Sequence, residues 1–257
     1  MRSILLYDKD KCTLCGVCAG VCVQRAITLE NGCWNYRTDL CKACGQCIEQ
    51  CRFDALEFSG QVYTLEQVKE EILKDKAFYD KSKGGVTFSG GEILMQIEFA
   101  EHLSEILRET GIHIACETTA ALPPAIFKRL LKSVDYVMLD IKHYERKILQ
   151  EICRADLSVI CENIKMAVNM KKTLVGRIPV IPGFNHSLKD MEGFACFCKE
   201  LGVHEIHLLP FHQLGEKKYE QLQREYKMKE IPALHKEDME EYAEYLRVYG
   251  FQVEIGG

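Results

Sequence analysis

Eight cysteines pose the first chemical question. Cys12-x2-Cys15-x2-Cys18-x3-Cys22 is followed by Cys41-x2-Cys44-x2-Cys47-x3-Cys51, the same spacing twice. Three thiolates on one tight loop can face three irons of a cubane, and in two-cluster proteins the fourth cysteine of each run serves the other cluster. The spacing therefore predicts one 4Fe-4S cluster on Cys12, Cys15, Cys18 and Cys51, and another on Cys41, Cys44, Cys47 and Cys22. Gly16 and Gly45 hold equivalent loop positions, where a missing side chain lets backbone N–H groups approach sulfur. A pair of zinc knuckles is the competing reading, because C-x2-C also suits tetrahedral zinc. Two identical four-member runs favour iron and sulfide. Val23 and Arg52 replace the proline that often follows the fourth cysteine, and no ligand is lost by that. Cys33 and the later Cys116, Cys153, Cys161, Cys196 and Cys198 are expected to be buried free thiols.

A second set of polar residues is scattered through the rest of the chain. Ser89-Gly90-Gly91-Glu92 stands where an apolar strand ends, and two glycines there let a ligand lie against bare backbone. Asp140 and Lys142 sit two apart in another apolar strand, so their side chains leave the same face. Opposite charges on a buried face are costly unless paired with each other or bound to a ligand, so a structural ion pair and a binding site are both open. Arg177 lies in a strand followed by Pro179 and Pro182, and His212 follows Leu208-Leu209-Pro210. A lone histidine at such a place is more often structural than functional.

These residues need elements to position them. Nine of the 14 cysteines precede residue 53, and the first 58 residues are too short for a good apolar core without metal. The change of character falls near Ser59–Thr64. It predicts a ferredoxin-like domain over residues 1–60 and a larger domain over 61–257. Thr64-x-x-Gln67 reads as a capping box, with Leu65, Val68 and Ile72 following at helical spacing. Phe99, Leu103, Ile106 and Leu107 line one helix face, and Gly111 can end that helix. Strands are expected at 86–88, 112–117, 136–142, 174–181 and 205–209, with helices between them, including 191–201 and 238–249. Such alternation implies an α/β fold with a parallel sheet or barrel and ligands at the strand C-terminal ends.

With 33 basic and 38 acidic residues, the formal charge is -5. That balance lacks the basic footprint of a nucleic-acid binder. No apolar run approaches the length that spans a bilayer, and the first residues show no secretory signal. A cytoplasmic location follows as the expectation, where thiols stay reduced and serve as metal ligands.

Four stretches carry a resemblance: GGVTFSGGE (84–92), DIKH (140–143), RIPVIPGFN (177–185) and LLPFHQLGEKKYEQL (208–222). Together with the two cysteine runs ahead of them, they resemble the glycyl-radical-enzyme activating enzymes, a branch of the radical S-adenosylmethionine family. The resemblance implies an incomplete TIM-like (β/α) barrel preceded by a small ferredoxin-like domain. Gly90, Gly91 and Glu92 would hold the methionine end of S-adenosylmethionine. Asp140 and Lys142 would contact its polar groups, Arg177 would support its carboxylate or sulfonium region, and His212 would approach its ribose. The implied partners are a glycyl radical enzyme as protein substrate and a flavodoxin or ferredoxin as reductant. Ile93 stands where the family often has proline, and Leu222-Gln223 replaces a usual Leu-Gly.

The family's radical chemistry needs a third 4Fe-4S cluster on C-x3-C-x2-C, from which one electron cleaves the sulfonium. Cys18-x3-Cys22 would require a cysteine at Arg25, and Cys47-x3-Cys51 would require one at Asp54. The expectation is therefore a chain without its first barrel strand and cluster loop, inactive by itself, with the third cluster present only in the complete protein. An electron-transfer or partner-docking protein without radical chemistry is the alternative.

Overall fold

The computed structural model describes residues 4–256. It divides into two compact units: residues up to Tyr63 with Gln213–Ile231, and Thr64–His212 with the residues from Pro232 onward.

The small unit is built from two copies of one motif. An offset of 29 residues carries each cysteine of the first run onto one of the second, and it carries strand onto strand as well. Strands β1 (Ile4–Tyr7) and β2 (Ile27–Glu30) flank the first run, while β3 (Cys33–Tyr36) and β4 (Leu56–Ser59) flank the second. Pairing is crossed: β1 is antiparallel to β4, and β2 to β3. The fourth cysteine of each run is thereby drawn toward the other run. Leu5, Ile27, Trp34 and Leu56 form the only apolar cluster in this unit's described residues. Four side chains are a meagre core for a unit of this size. Gln223 adds a tie by donating its side-chain N–H to the carbonyl of Trp34 at 3.0 Å.

The larger unit is an α/β layer structure. Six parallel strands lie in the order β5 (Gly85–Phe88), β6 (His113–Thr118), β7 (Tyr136–Asp140), β8 (Thr173–Val180), β9 (Glu205–Pro210) and β10 (Gln252–Ile255). Sequence order and spatial order coincide, so each connection crosses over once through helix. The sheet is open, with β5 and β10 each paired on one side. Alternation gives it two unlike faces. Ile114, Cys116, Val137, Leu139, Ile178, Ile206 and Leu208 are buried against the helical layer, where Phe127, Leu130, Met191 and Phe194 complete the core. The opposite face carries Glu117, Tyr136, Met138, Asp140 and Arg177, all half-buried.

Local chemistry explains the helix boundaries. The Thr64 cap is complete: its hydroxyl accepts from Gln67 N at 3.2 Å, and Gln67 Oε1 accepts from Thr64 N at 2.8 Å. Asp156 and Ser187 cap later helices through Ser158 N and Asp190 N. Gly85 makes the tightest strand contact. A Cβ there would lie 1.8 Å from the His113 carbonyl oxygen, so only glycine lets β5 approach β6.

The expected strands sit within two residues of their sequence placement. Strand β10 and the four short strands of the small unit lie outside the expectation. The reading of the odd cysteines needs correction. Cys116 and Cys198 are buried, but Cys33, Cys153 and Cys196 are exposed. They stand on the solvent side of β3 and of two helices, where cysteine's general preference for burial does not decide placement.

Candidate cofactor sites

Two cavities in the small unit sort the eight cysteines. One is lined by Cys12, Cys15, Cys18 and Cys51. The other is lined by Cys22, Cys41, Cys44 and Cys47. These are the crossed sets that the spacing predicts. Among the described residues no three His, Cys, Asp or Glu side chains converge as on a single metal ion, so each set surrounds a space instead. The loops repeat at the level of single dihedrals. Leu14 and Ala43 have φ of 56° and 53°, and Gly16 and Gly45 have φ of 79° and 84°. That left-handed backbone turns amide groups inward. Leu14 N–H donates to Cys12 Sγ and Ala43 N–H to Cys41 Sγ, both at 3.3 Å. Ala26 N–H reaches Cys22 Sγ at 3.3 Å and Ala55 N–H reaches Cys51 Sγ at 3.4 Å. Amide donors aimed at sulfur are the local means of stabilising thiolate and cluster charge. Burial pushes the Cys18 thiol up, and the Cys47 thiol up to about 11. Both must lose a proton to bind iron, so metal uptake releases protons and weakens in acid. Thiol-rich, amide-lined cavities of this kind fit iron–sulfur cubes.

The second candidate site lies at the C-terminal ends of the parallel strands, where this architecture places ligands. Asp140 and Arg177 are direct partners across β7 and β8. Arg177 donates Nε and Nη2 to Asp140 Oδ1, at 2.9 and 2.7 Å, and Nη1 to Glu117 Oε1 at 2.5 Å. Lys142 Nζ meets Asp140 Oδ2 at 3.0 Å. Ser89 Oγ donates to Glu117 Oε2 at 2.5 Å, which ties the end of β5 into the array. Two carboxylates and two cations leave the array formally neutral. Hydrogen bonding to Arg177, supported by Ser89, holds the Glu117 carboxyl below the usual glutamate range despite partial burial. Burial alone would lower the Arg177 pKa, but its two carboxylate partners raise it overall.

Glu92 is fixed from its own side. Its carboxylate accepts from Thr118 Oγ1 at 2.7 Å, from Thr119 N and Oγ1 at 3.0 and 2.7 Å, and from Leu94 N at 3.3 Å. The side chain thus clamps the β5 loop to the end of β6. Gly90, with φ of 129°, and Gly91 stand open, and a Cβ at either would meet nothing within 4 Å. Bare amide backbone therefore faces the same end of the sheet as the charged array. His212 stands exposed two residues past the end of β9.

The structure joins Ser89, Asp140, Lys142 and Arg177 into one hydrogen-bonded array and ties Glu92 to the same strand ends. Glu117 is the member that sequence reading passed over. Its signal was available, since it is a lone carboxylate in a largely apolar strand, though without the oppositely charged neighbour two positions away that drew attention to Asp140. His207 was also passed over. It lies in register with Arg177 on one side and Glu254 on the other, and its Nε2 is 3.2 Å from Glu205 Oε1.

A parallel sheet with an ion-paired array and open glycine backbone at its carboxyl end, in a chain that also carries a unit with four-cysteine cavities, defines an iron–sulfur α/β enzyme class. The family model described as Radical SAM superfamily matches residues 31–195, and the one described as 4Fe-4S binding domain matches residues 5–28. The pyruvate formate-lyase 2-activating enzyme of Escherichia coli is 36% identical over 84% of this chain and 75% of its own length. The 4-hydroxyphenylacetate decarboxylase activating enzyme of Clostridioides difficile is 34% identical over the whole chain and 83% of its own length. A solved domain of a pyruvate-formate lyase-activating enzyme from Bacteroides vulgatus superposes with a TM-score of 0.56 at 27% identity, over 68% of this chain and 99% of that one. The chain belongs to the radical SAM superfamily and, within it, to the glycyl-radical-enzyme activating enzymes. Among the described residues no helix is long and apolar enough to cross a membrane.

Proposed function

We propose that this chain supplies the S-adenosylmethionine pocket and the electron-relaying clusters of an enzyme that installs a glycyl radical on a cytoplasmic partner enzyme. The observation that carries this reading is the co-location of open glycine backbone and the Glu117–Arg177–Asp140–Lys142 array at one end of the parallel sheet. When bound, S-adenosylmethionine supplies the radical chemistry of this family. The chain's own residues bind and orient it. Gly90 and Gly91 offer amide and carbonyl groups to the zwitterionic methionine end. Glu92 acts through position, because its carboxylate is engaged by Thr118 and Thr119 and holds the glycine loop in place. Lys142 presents a cation that Asp140 restrains, and Arg177 keeps the two carboxylates of the array charged and separated. His212 stands where a ribose could be approached from the end of β9.

In the small unit, Cys12, Cys15, Cys18 and Cys51 would hold one 4Fe-4S cluster, and Cys22, Cys41, Cys44 and Cys47 the other. The clusters would accept electrons singly from a flavodoxin or ferredoxin. The 257 residues contain no C-x3-C-x2-C run, so the radical-initiating cluster is not one that these residues can bind. The chain alone should therefore bind S-adenosylmethionine without cleaving it.

Calorimetric titration of the reconstituted chain tests the pocket. S-adenosylmethionine should bind, and Gly91→Ala should weaken it at least tenfold without lowering the melting temperature, because a Cβ there meets no protein atom. Absence of binding to the unsubstituted chain would leave the electron-transfer reading in its place.

A further inference from the structure

The repeat in the small unit makes one buried difference between its two halves informative. Under the 29-residue offset, Tyr7 maps onto Tyr36, Ala26 onto Ala55 and Ile27 onto Leu56, while Leu5 maps onto Trp34. Leu5 lines the cavity of Cys22, Cys41, Cys44 and Cys47. Trp34 lines the cavity of Cys12, Cys15, Cys18 and Cys51. The indole is 4% exposed and stacked on Tyr7, with ring centres 4.2 Å apart and planes within 10°. Its Nε1 is buried and has no hydrogen-bond partner among the described residues. A buried N–H left without an acceptor is costly, and native folds seldom tolerate it unless a bound group takes the bond. The indole stands beside Cys18, one of the four cysteines of that cavity. The two tyrosines create no such asymmetry, because each interacts with the first cysteine of its own run: Tyr7 with Cys12, Tyr36 with Cys41.

We propose that the Trp34 indole N–H donates a hydrogen bond to sulfur of the cluster held by Cys12, Cys15, Cys18 and Cys51, and that this bond raises the reduction potential of that cluster. The inference rests on the two-cluster reading given above. Reduction adds one electron and one negative charge to a cluster, and a donor dipole aimed at its sulfur stabilises the added charge. Leu5, at the equivalent place in the other cavity, offers no such indole donor. Trp34 is a positioning and tuning residue that touches the cluster but supplies no ligand.

The test uses the full chain, reconstituted anaerobically and first assayed for iron and sulfide. Mediated potentiometric titration, followed by electron paramagnetic resonance, should resolve two one-electron steps. Trp34→Phe keeps the stacked ring and deletes the N–H. It should move one step to more negative potential and leave the other in place. Because the chain has a single tryptophan, unsubstituted protein labelled with indole nitrogen-15 should show one nitrogen-15 coupling, in the signal of the cluster whose step Trp34→Phe moves and in no other. That second readout does not depend on the variant folding. Unmoved steps, equal movement of both steps, or absence of the coupling would overturn the proposal. Protein that takes up no iron and sulfide would overturn the cluster reading itself, and this inference with it.

Discussion

The array at the strand ends depends on single atoms, and Glu117 shows how. Its carboxylate joins Ser89 on β5's loop to Arg177 on β8, so three strands are tied by one side chain. Its native pKa is lowered, chiefly by Arg177. The stability it contributes is fully present above the unfolded value of about 4.3 and is lost as pH falls through the lower native value. Glu117→Gln should destabilise the larger unit by about 1.5–3 kcal/mol at neutral pH, the range for hydrogen bonds to charged groups. Thermal melts of both proteins from pH 7 down to pH 3 should show the difference shrinking as the native carboxylate becomes protonated. A difference independent of pH would mean that the charge of Glu117 is not what holds the array. The same scale explains what sequence could and could not show. Asp140, Lys142 and Arg177 announced themselves as charges in apolar strands, and Gly90 and Gly91 as a glycine pair at a strand end. That Glu92 is consumed by Thr118 and Thr119 is a tertiary fact, because 26 and 27 residues separate the partners. No local pattern encodes that pairing.

At the scale of elements, the parallel sheet from β5 to β9 was legible because its strands are largely apolar runs of four to eight residues separated by helices with readable caps. The Thr64 box and the Ser187 and Asp156 caps are written in adjacent residues, and local hydrogen bonds make them. Strand β10 was not legible. Gln252-Val-Glu-Ile alternates and is half polar, as befits an edge strand with one pairing side, and it lacks the continuous apolar signature of its neighbours. The short strands of the small unit were hidden for another reason: four residues between cysteine loops carry too few alternations to register. Gly85 gives a direct check on the observed register of β5 with β6. Gly85→Ala must push β5 from His113 and should cost at least about 1–3 kcal/mol, the usual penalty for overpacking. Chemical denaturation would measure it. A melt equal to that of the unsubstituted protein would show that β5 does not approach β6 as described.

For the molecule as a whole, the contrast between the units decides what holds each together. The larger unit buries a continuous core, with side chains such as Phe127, Leu130 and Phe194 wholly excluded from water. The small unit has four buried apolar side chains in its cluster and eight thiols around two cavities. Its order must come substantially from what the thiols bind, as in other small domains that fold with their metal. Family membership rests on the match across the larger unit and on relatives aligned along the whole chain. The distinctive claim for this chain is that eight cysteines make two crossed iron–sulfur sites. The most direct test is quantitative iron, zinc and acid-labile sulfide analysis of anaerobically reconstituted chain, compared with a Cys51→Ala variant. The account predicts about eight irons and eight sulfides per chain, with Cys51→Ala impairing the cluster of Cys12, Cys15 and Cys18 and sparing the one of Cys41, Cys44 and Cys47. Zinc without sulfide, or a Cys51→Ala variant that loses the cluster of its own run instead, would contradict it.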